Sequence, residues 1–155
     1  MAGRETPATV AARRAGIEFS VLEYEHDEAS ASYGLEAAER LGLDPERVFK
    51  TLLATVDGSL CVCVLPVAAQ LDLRALGKRA AMADPRDAQR ATGYVVGGIS
   101  PLGQRRRLRA LLDEAAFAHE TIFVSAGRRG LELELSPSDL AALTGADTAR
   151  LTRGH

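Results

Sequence analysis

The stretch RVFKTLLATVDGSLCVCVLP, residues 47–66, decides the fold. Two apolar runs flank Asp57-Gly58, and an Asp-Gly pair between such runs predicts a β-hairpin. One residue does not fit its strand. Lys50 shares its strand parity with four apolar residues, so it would place a charge on an apolar face. Those four residues are Val48, Leu52, Ala54 and Val56.

Lys50 has two interpretations. Near a sheet edge, its long stem would let the ammonium reach water, and the residue would have no special role. Alternatively, the charge serves a ligand, because an unpaired buried ammonium is costly. Among the 19 basic residues only Lys50 and Lys78 are lysines. A lysine retained in a chain that otherwise uses arginine favours the second interpretation.

Outside the hairpin, turn residues delimit the helices. A capping side chain followed by proline predicts helix starts at Thr6-Pro7, Asp44-Pro45, Asp84-Pro85 and Ser136-Pro137. Glycine predicts helix ends at Gly16, Gly42, Gly93 and Gly145. Two more helices are predicted over GLEAAERL and DLRALGKR.

Strands are predicted at FSVLEYE, at YVV from Tyr94, at TIFVS from Thr121 and at LELEL from Leu131. Helices and strands mix without a regular βαβ repeat. This pattern favours an α/β (α+β) fold: one domain over residues 1–155, with a curved, mixed, mostly antiparallel sheet flanked by helices. The length suffices to bury one hydrophobic core.

Composition narrows the functional classes. No apolar run approaches the roughly 20 residues of a membrane span, and the N-terminus lacks the apolar segment of a signal peptide, so we expect a cytoplasmic protein. Cys61 and Cys63 lie on one side of one strand, where a disulfide is improbable and core packing is expected. The net charge of -2 gives no general attraction to nucleic acid. The run from Arg105 to Arg107 and the pairs Arg13-Arg14 and Arg128-Arg129 could hold phosphates or simply be solvated.

Two glycine-rich stretches could approach a ligand. TGYVVGGISPLGQ, residues 92–104, forms either a tight turn or a loop whose N–H groups converge on an anion. VSAGRRGLELEL, residues 124–135, resembles a hairpin in which Ser125 and Glu132 could face that loop. No nucleotide-binding fingerprint, serine elbow or histidine cluster is present. A hydrolase built on this chain would lack an obvious protein nucleophile, so it would rely on positioning and backbone donors.

Together these motifs resemble the YbaK family of aminoacyl-tRNA deacylases. The resemblance rests on six segments that follow the family's order along nearly the whole chain. They are YEHD (24–27), VFKTLL (48–53), PVAAQLDL (66–73), MADP (82–85), TGYVVGGISPLGQ (92–104) and VSAGRRGLELEL (124–135). The similarity is greatest to free-standing members that hydrolyse Cys-tRNA(Pro), with the editing insertion of prolyl-tRNA synthetases a more distant relative.

The resemblance implies a site. Lys50 matches the family's essential lysine near the terminal adenosine of the tRNA 3′ end, and the loop Gly97, Gly98, Ile99, Ser100, Pro101 matches the G-x-x-x-P loop that holds the ester. Tyr24, Ser125 and Glu132 match pocket positions, although aspartate is frequent in the family where Glu132 stands. The resemblance implies no metal, and we expect no cofactor.

The resemblance also implies an activity. The substrate would be mischarged tRNA(Pro) carrying cysteine, whose own thiol attacks the ester, with prolyl-tRNA synthetase as a partner. Two alternatives remain open: a deacylase for alanine- or serine-charged tRNA, and a non-catalytic module that binds tRNA ends or a synthetase.

Overall fold

The predicted hairpin organises the largest sheet. In the computed structural model, which describes residues 5–26 and 33–153, β2 (Phe49–Val56) pairs antiparallel with β3 (Ser59–Pro66) along its whole length. Asp57 and Gly58 both have positive φ, at 52° and 83°. This is the backbone of a type I′ turn, whose twist matches that of the two strands.

Ten strands form three sheets in the described part of the chain. The five-stranded sheet has the order β5-β2-β3-β6-β9, with β5 at Ala80–Met82, β6 at Arg109–Asp113 and β9 at Asp147–Ala149. The three-stranded sheet has the order β1-β8-β7, with β1 at Ser20–Glu23, β7 at Ile122–Arg128 and β8 at Leu131–Leu135. β4 (Gln70–Leu71) pairs with β10 (Thr152–Arg153).

Most strand pairs are antiparallel; the parallel pairs are β3 with β6 and β6 with β9. The two larger sheets meet at a parallel bridge between Val48 and Phe123. Arg47 holds this junction, because its guanidinium donates to the Thr121 carbonyl at 3.1 Å, pairs with Glu134 at 3.3 Å and lies over the Phe123 ring. The mixed α/β architecture confirms the predicted fold class.

Five α-helices flank these sheets within the described ranges: α1 (Pro7–Ala15), α2 (Tyr33–Leu41), α3 (Leu73–Leu76), α4 (Pro85–Thr92) and α5 (Pro137–Thr144). Thr6, Asp84 and Ser136 cap their helices as predicted. None of the helices in these ranges reaches the length and hydrophobicity that a bilayer crossing requires.

Local predictions failed in three places. The predicted strand at Tyr94 is wrong: the segment is a loop in which the buried Tyr94 hydroxyl donates to the Leu102 carbonyl at 2.6 Å. Asp44-Pro45 starts only a short 3-10 turn, Pro45–Arg47, because the chain enters β2 directly afterwards. The helix over DLRALGKR is a single turn, since Gly77 at φ 142° ends it. In addition, strands β4, β5, β6, β9 and β10 were not predicted.

The hydrophobic core lies mainly between the two larger sheets and the helices. Phe49 and Leu53 from β2 pack there with Leu131, Leu133 and Leu135 from β8. The opposite face of β2 contributes Leu52, Ala54 and Val56 to a second cluster that holds Cys61 and Cys63, both free and buried. Lys50 therefore lies at the end of an apolar face, as its strand parity predicted.

Candidate active site

The candidate site lies at a gap along one edge of β2, a stretch of the strand that has no hydrogen-bonded neighbour strand in the described ranges. On that edge β2 meets β7 only at the Val48 bridge and β5 only from Ala54 to Val56. Between these contacts, no strand in the described ranges pairs with it. β5 and β7 diverge here and leave a cleft of about 510 Å³.

Thr51 lies in the middle of this gap. The Leu53 carbonyl accepts from Ala83 N–H at 3.0 Å, and Asp57 N–H donates to the Arg79 carbonyl at 3.2 Å. The backbone groups of Leu53 and Asp57 therefore point toward the β5 side of the strand. Since backbone groups of alternate strand residues point to the same side, the N–H and C=O of Thr51 point into the gap. Its Oγ1 is buried and has no hydrogen-bond partner in the described part of the chain. The sequence analysis missed Thr51; its only signal was its position next to Lys50.

Six of the nine predicted site residues line this cleft: Tyr24, Lys50, Gly97, Ile99, Ser125 and Glu132. The cleft is also lined by Phe49 and Val96, which the sequence analysis did not predict, and by Arg128 and Arg129, an arginine pair that it considered for phosphate binding. Because these residues come from β1, β2, the loop after α4 and the β7–β8 hairpin, only the fold brings them together.

The other three predicted residues occupy different positions. Gly98 donates its N–H to the Val95 carbonyl at 2.8 Å. Ser100 is fully buried, and its Oγ accepts from Leu102 N–H at 3.2 Å. Pro101 lines a separate, smaller cleft of about 160 Å³ with Arg106 and Arg107. These three residues therefore shape the loop, while Gly97 and Ile99 reach the larger cleft.

Lys50 is half-buried at the cleft. Its Nζ donates to the Ala69 carbonyl at 2.6 Å, and among the described residues no carboxylate lies within ion-pair distance. Burial lowers the pKa of Lys50 below its ordinary value, because an ammonium loses hydration there. The lysine has donor capacity left for a ligand, since an ammonium carries three N–H groups.

Glu132 is the most buried ionisable group of the cleft, with 6% of its surface exposed. Burial raises the pKa of its carboxyl to about 8. It pairs in register with Ser125 on β7 and with Leu22 on β1. Burial also raises the pKa of Tyr24 to about 12, with a further contribution from the Glu132 charge. At neutral pH both groups therefore favour their uncharged, hydrogen-donating forms.

The loop at Gly97 offers backbone donors. Within the described ranges, no acceptor takes a hydrogen bond from the N–H groups of Gly97 or Ile99. Gly97 has φ 92°, a conformation that favours glycine. Free N–H groups beside a cleft can stabilise an oxyanion if they point at the reacting oxygen.

The described residues supply no activated nucleophile to the cleft. Ser125 Oγ accepts from Gly127 N–H at 3.2 Å, and neither His26 nor His119 lines the cleft. Cys61 and Cys63 are 1% and 0% exposed in the second hydrophobic cluster, and neither lines the cleft. In the same ranges, no cluster of three or more metal-ligating side chains occurs.

The fold leaves a cleft between diverging strands, and comparison with known proteins identifies the class of the protein. Residues 28–143 match the model of the aminoacyl-tRNA editing domain. The chain belongs to this family, which confirms the YbaK-type resemblance, and it is an enzyme of the aminoacyl-tRNA deacylase class.

Comparisons with individual proteins agree with this family assignment. The chain is 35% identical over 162 residues to "Putative Cys-tRNA(Pro)/Cys-tRNA(Cys) deacylase EbsC" of Enterococcus faecalis, covering 98% of both chains. It is 27% identical to the protein in "Crystal structure of a putative trans-editing enzyme for prolyl tRNA synthetase", with a TM-score of 0.79 over 97% of this chain and 99% of that one. The hypothetical protein APE2540, at 24% identity, shares the fold with a TM-score of 0.85 over 96% of this chain and 100% of that one.

Proposed function

We propose that this enzyme removes cysteine from mischarged tRNA(Pro), and that the substrate's own thiol is the nucleophile. The observation that carries the proposal is a cleft of about 510 Å³ that offers backbone donors and a lysine but no activated serine, cysteine or histidine among its described lining residues. A site of this kind works by folding the substrate onto itself.

The reaction then proceeds by intramolecular displacement. The cysteine sulfur forms a bond to the carbonyl carbon, and the ester bond to the ribose oxygen breaks. The thiol proton ends on that oxygen, which releases tRNA, and water opens the cyclic thioester to free cysteine. In this scheme the N–H groups of Gly97 and Ile99 bind the carbonyl oxygen as it becomes negative. Lys50 binds an oxygen of the terminal nucleotide, which fixes the ester relative to the loop.

A panel of charged tRNAs tests the proposal. Tritiated Cys-, Ala-, Ser- and Pro-tRNA(Pro) are incubated with the enzyme, and loss of the ester is followed. Cysteine should be released far faster than alanine, because the two differ little in size and steric exclusion alone gives weak discrimination. S-methylcysteinyl-tRNA(Pro) should resist cleavage. Equal rates for Cys- and Ala-tRNA(Pro) would contradict the thiol mechanism.

Variants of the chain's own thiols provide the control. Cys61→Ala and Cys63→Ala should cleave Cys-tRNA(Pro) at nearly the wild-type rate, because both sulfurs lie in the core away from the cleft. A large loss of rate in either variant, without a loss of folded protein, would make a protein thiol the nucleophile instead.

Prolyl-tRNA synthetase is the partner in this proposal. The net charge is -2, and the described arginines that line the cleft already bind protein oxygens, as in the pair of Arg128 with Glu23 at 3.1 Å. We therefore expect the isolated enzyme to bind tRNA weakly and to lose it as salt rises. Selective, sub-micromolar binding of tRNA(Pro) by the enzyme alone at physiological salt would contradict a role for the synthetase in recognition.

A further inference from the structure

The carboxyl of Glu132 lies in the cleft without a partner. Within the described ranges it forms no hydrogen bond and no ion pair, although only 6% of its surface is exposed. Removing a carboxylate from water without compensation is costly, so such a group either keeps its proton or receives a donor from a ligand. The Glu132 carboxyl is therefore available to accept a hydrogen bond or an ion pair from a ligand.

The cationic side chains around the cleft each bind another protein oxygen in the free enzyme. Lys50 donates to the Ala69 carbonyl, and Arg128 pairs with Glu23. Arg129 donates to the Val96 carbonyl at 3.0 Å. The strand neighbour Ser125 uses its Oγ as an acceptor for Gly127 N–H. In the free enzyme none of these side chains donates to the Glu132 carboxyl, which leaves it available to a donor from the substrate.

An aminoacyl ester brings one cation close to its scissile bond. Its carbonyl oxygen is an acceptor and suits the N–H groups of Gly97 and Ile99, whereas its α-amino group titrates near neutral pH and donates hydrogen bonds. The oxygen is bonded to the carbonyl carbon and the amine to the adjacent α-carbon, and Glu132 lies in the same cleft as the loop.

We propose that Glu132 binds the α-amino group of the aminoacyl ester and thereby restricts the enzyme to substrates with a free amine. This inference rests on the deacylase function proposed above. Its consequence is that esters whose nitrogen is acylated, as in peptidyl-tRNA, are spared. An amide nitrogen carries no charge, and its acyl group would occupy the space beside a buried carboxyl.

The carboxyl and the amine share one proton in this complex. In the free enzyme burial raises the pKa of the carboxyl to about 8. The bound ammonium favours the ionised carboxyl and so lowers this pKa in the complex, where the pair then holds a single proton. At lower pH both groups are protonated and the ammonium loses its counter-charge. Glu132 is the one carboxyl among the described residues that line the cleft; the other charged or titratable groups there are Lys50, Arg128, Arg129 and Tyr24, whose pKa is raised. The acidic limb of the pH profile therefore belongs to this pair.

The test compares two substrates in two enzymes. Cys-tRNA(Pro) is measured against 3-mercaptopropionyl-tRNA(Pro), which keeps the thiol and the ester but has hydrogen in place of the amine, so it introduces no steric clash. Wild type should prefer Cys-tRNA(Pro) in kcat/KM by roughly tenfold to a hundredfold, the range expected for a hydrogen bond to a charged group. Glu132→Gln should bring this preference close to one and remove the acidic limb.

Glu134→Gln is the matched control. Glu134 lies two residues further along β8 and pairs with Arg47 outside the cleft, so its replacement should leave the preference unchanged. N-acetyl-Cys-tRNA(Pro) should resist the wild-type enzyme.

Each outcome decides a different point. If Glu132→Gln slows both thiol substrates equally and the preference persists, Glu132 acts in another way, for example as a general base, and the inference is wrong. Cleavage of N-acetyl-Cys-tRNA(Pro) at the wild-type rate also overturns it. Failure of the wild-type enzyme to cleave Cys-tRNA(Pro) would instead overturn the proposed function.

Discussion

Gly98 lies so close to Arg128 that a Cβ on Gly98 would stand 2.9 Å from the Arg128 Cα and 3.1 Å from the Arg129 nitrogen. The contact joins the loop after α4 to the β7–β8 hairpin, backbone against backbone. It fixes the position of the loop residues that line the cleft relative to Ser125 and Glu132. Gly98 thus has a packing role that the sequence motif alone did not reveal.

Gly98→Ala should displace the loop and lower kcat. Gly98 does not have a left-handed backbone, so the effect comes from the contact rather than from backbone strain. The control is Gly58→Ala in the hairpin turn, where φ is 83° and a Cβ would meet nothing within 4 Å. Both variants should melt at a lower temperature in a calorimetric scan, but only Gly98→Ala should lose activity. An unchanged kcat in Gly98→Ala would mean that the loop tolerates the shift.

Lys50→Met should lose most activity while being more stable than wild type at pH 7. Because burial lowers the pKa of Lys50, the folded protein carries a penalty for the charged form that disappears as pH rises through the lowered pKa toward 10.5. The advantage of Lys50→Met in denaturant unfolding should accordingly shrink with rising pH. Lys78→Met, at the other and exposed lysine, should change neither property. A Lys50→Met protein that unfolds would make the residue structural.

Glu132→Gln should stabilise the protein at alkaline pH. Between pH 4.5, the ordinary pKa of the carboxyl, and about 8, the folded protein retains a proton that the unfolded chain has released. Wild type therefore loses stability across this window, and Glu132→Gln does not. The difference in free energy of unfolding should grow from pH 5 to pH 8 and then level off. A constant difference over this range would mean that the carboxyl titrates normally.

Thr51→Val should leave stability unchanged or raise it and should lower kcat/KM by about tenfold. Its hydroxyl is buried without a partner, so removing it costs the free protein no hydrogen bond, whereas a bound substrate would lose one. Thr51→Ser should retain activity. Thr55→Val, on the same strand outside the cleft, is the matched control. Full activity in Thr51→Val would assign the hydroxyl no role in binding.

Much of the fold was predictable because local chemistry dictates it. Asp57-Gly58 forces the hairpin turn since both residues adopt positive φ, and Thr6, Asp84 and Ser136 cap helices whose N–H groups need acceptors. The strand predicted at Tyr94 failed because a hydrogen bond to Leu102, within the same loop, and a buried ring outweigh the β-propensity of the two valines.

The residues of the candidate site likewise include some that the sequence could predict and some that it could not. Lys50 could be recognised from the sequence, because a charge on an apolar strand face is visible in the alternation of residues. Thr51 could not, because its unpaired backbone depends on β5 and β7 diverging along the edge of β2. Likewise, the alternation in LELEL gives Glu132 and Glu134 the same face, yet one carboxyl is buried in the cleft and the other pairs with Arg47.

The sequence by itself determined the hairpin, the capped starts of three helices, the lysine on an apolar strand face and the family, since each depends on neighbouring residues or on motifs in order along the chain. Only the tertiary structure decided which residues share a cleft, which loop glycine packs against Arg128 and which glutamate is buried away from solvent. These outcomes depend on contacts between distant segments. Burial, which sets the pKa of Glu132, is a property of the packed molecule and not of the strand.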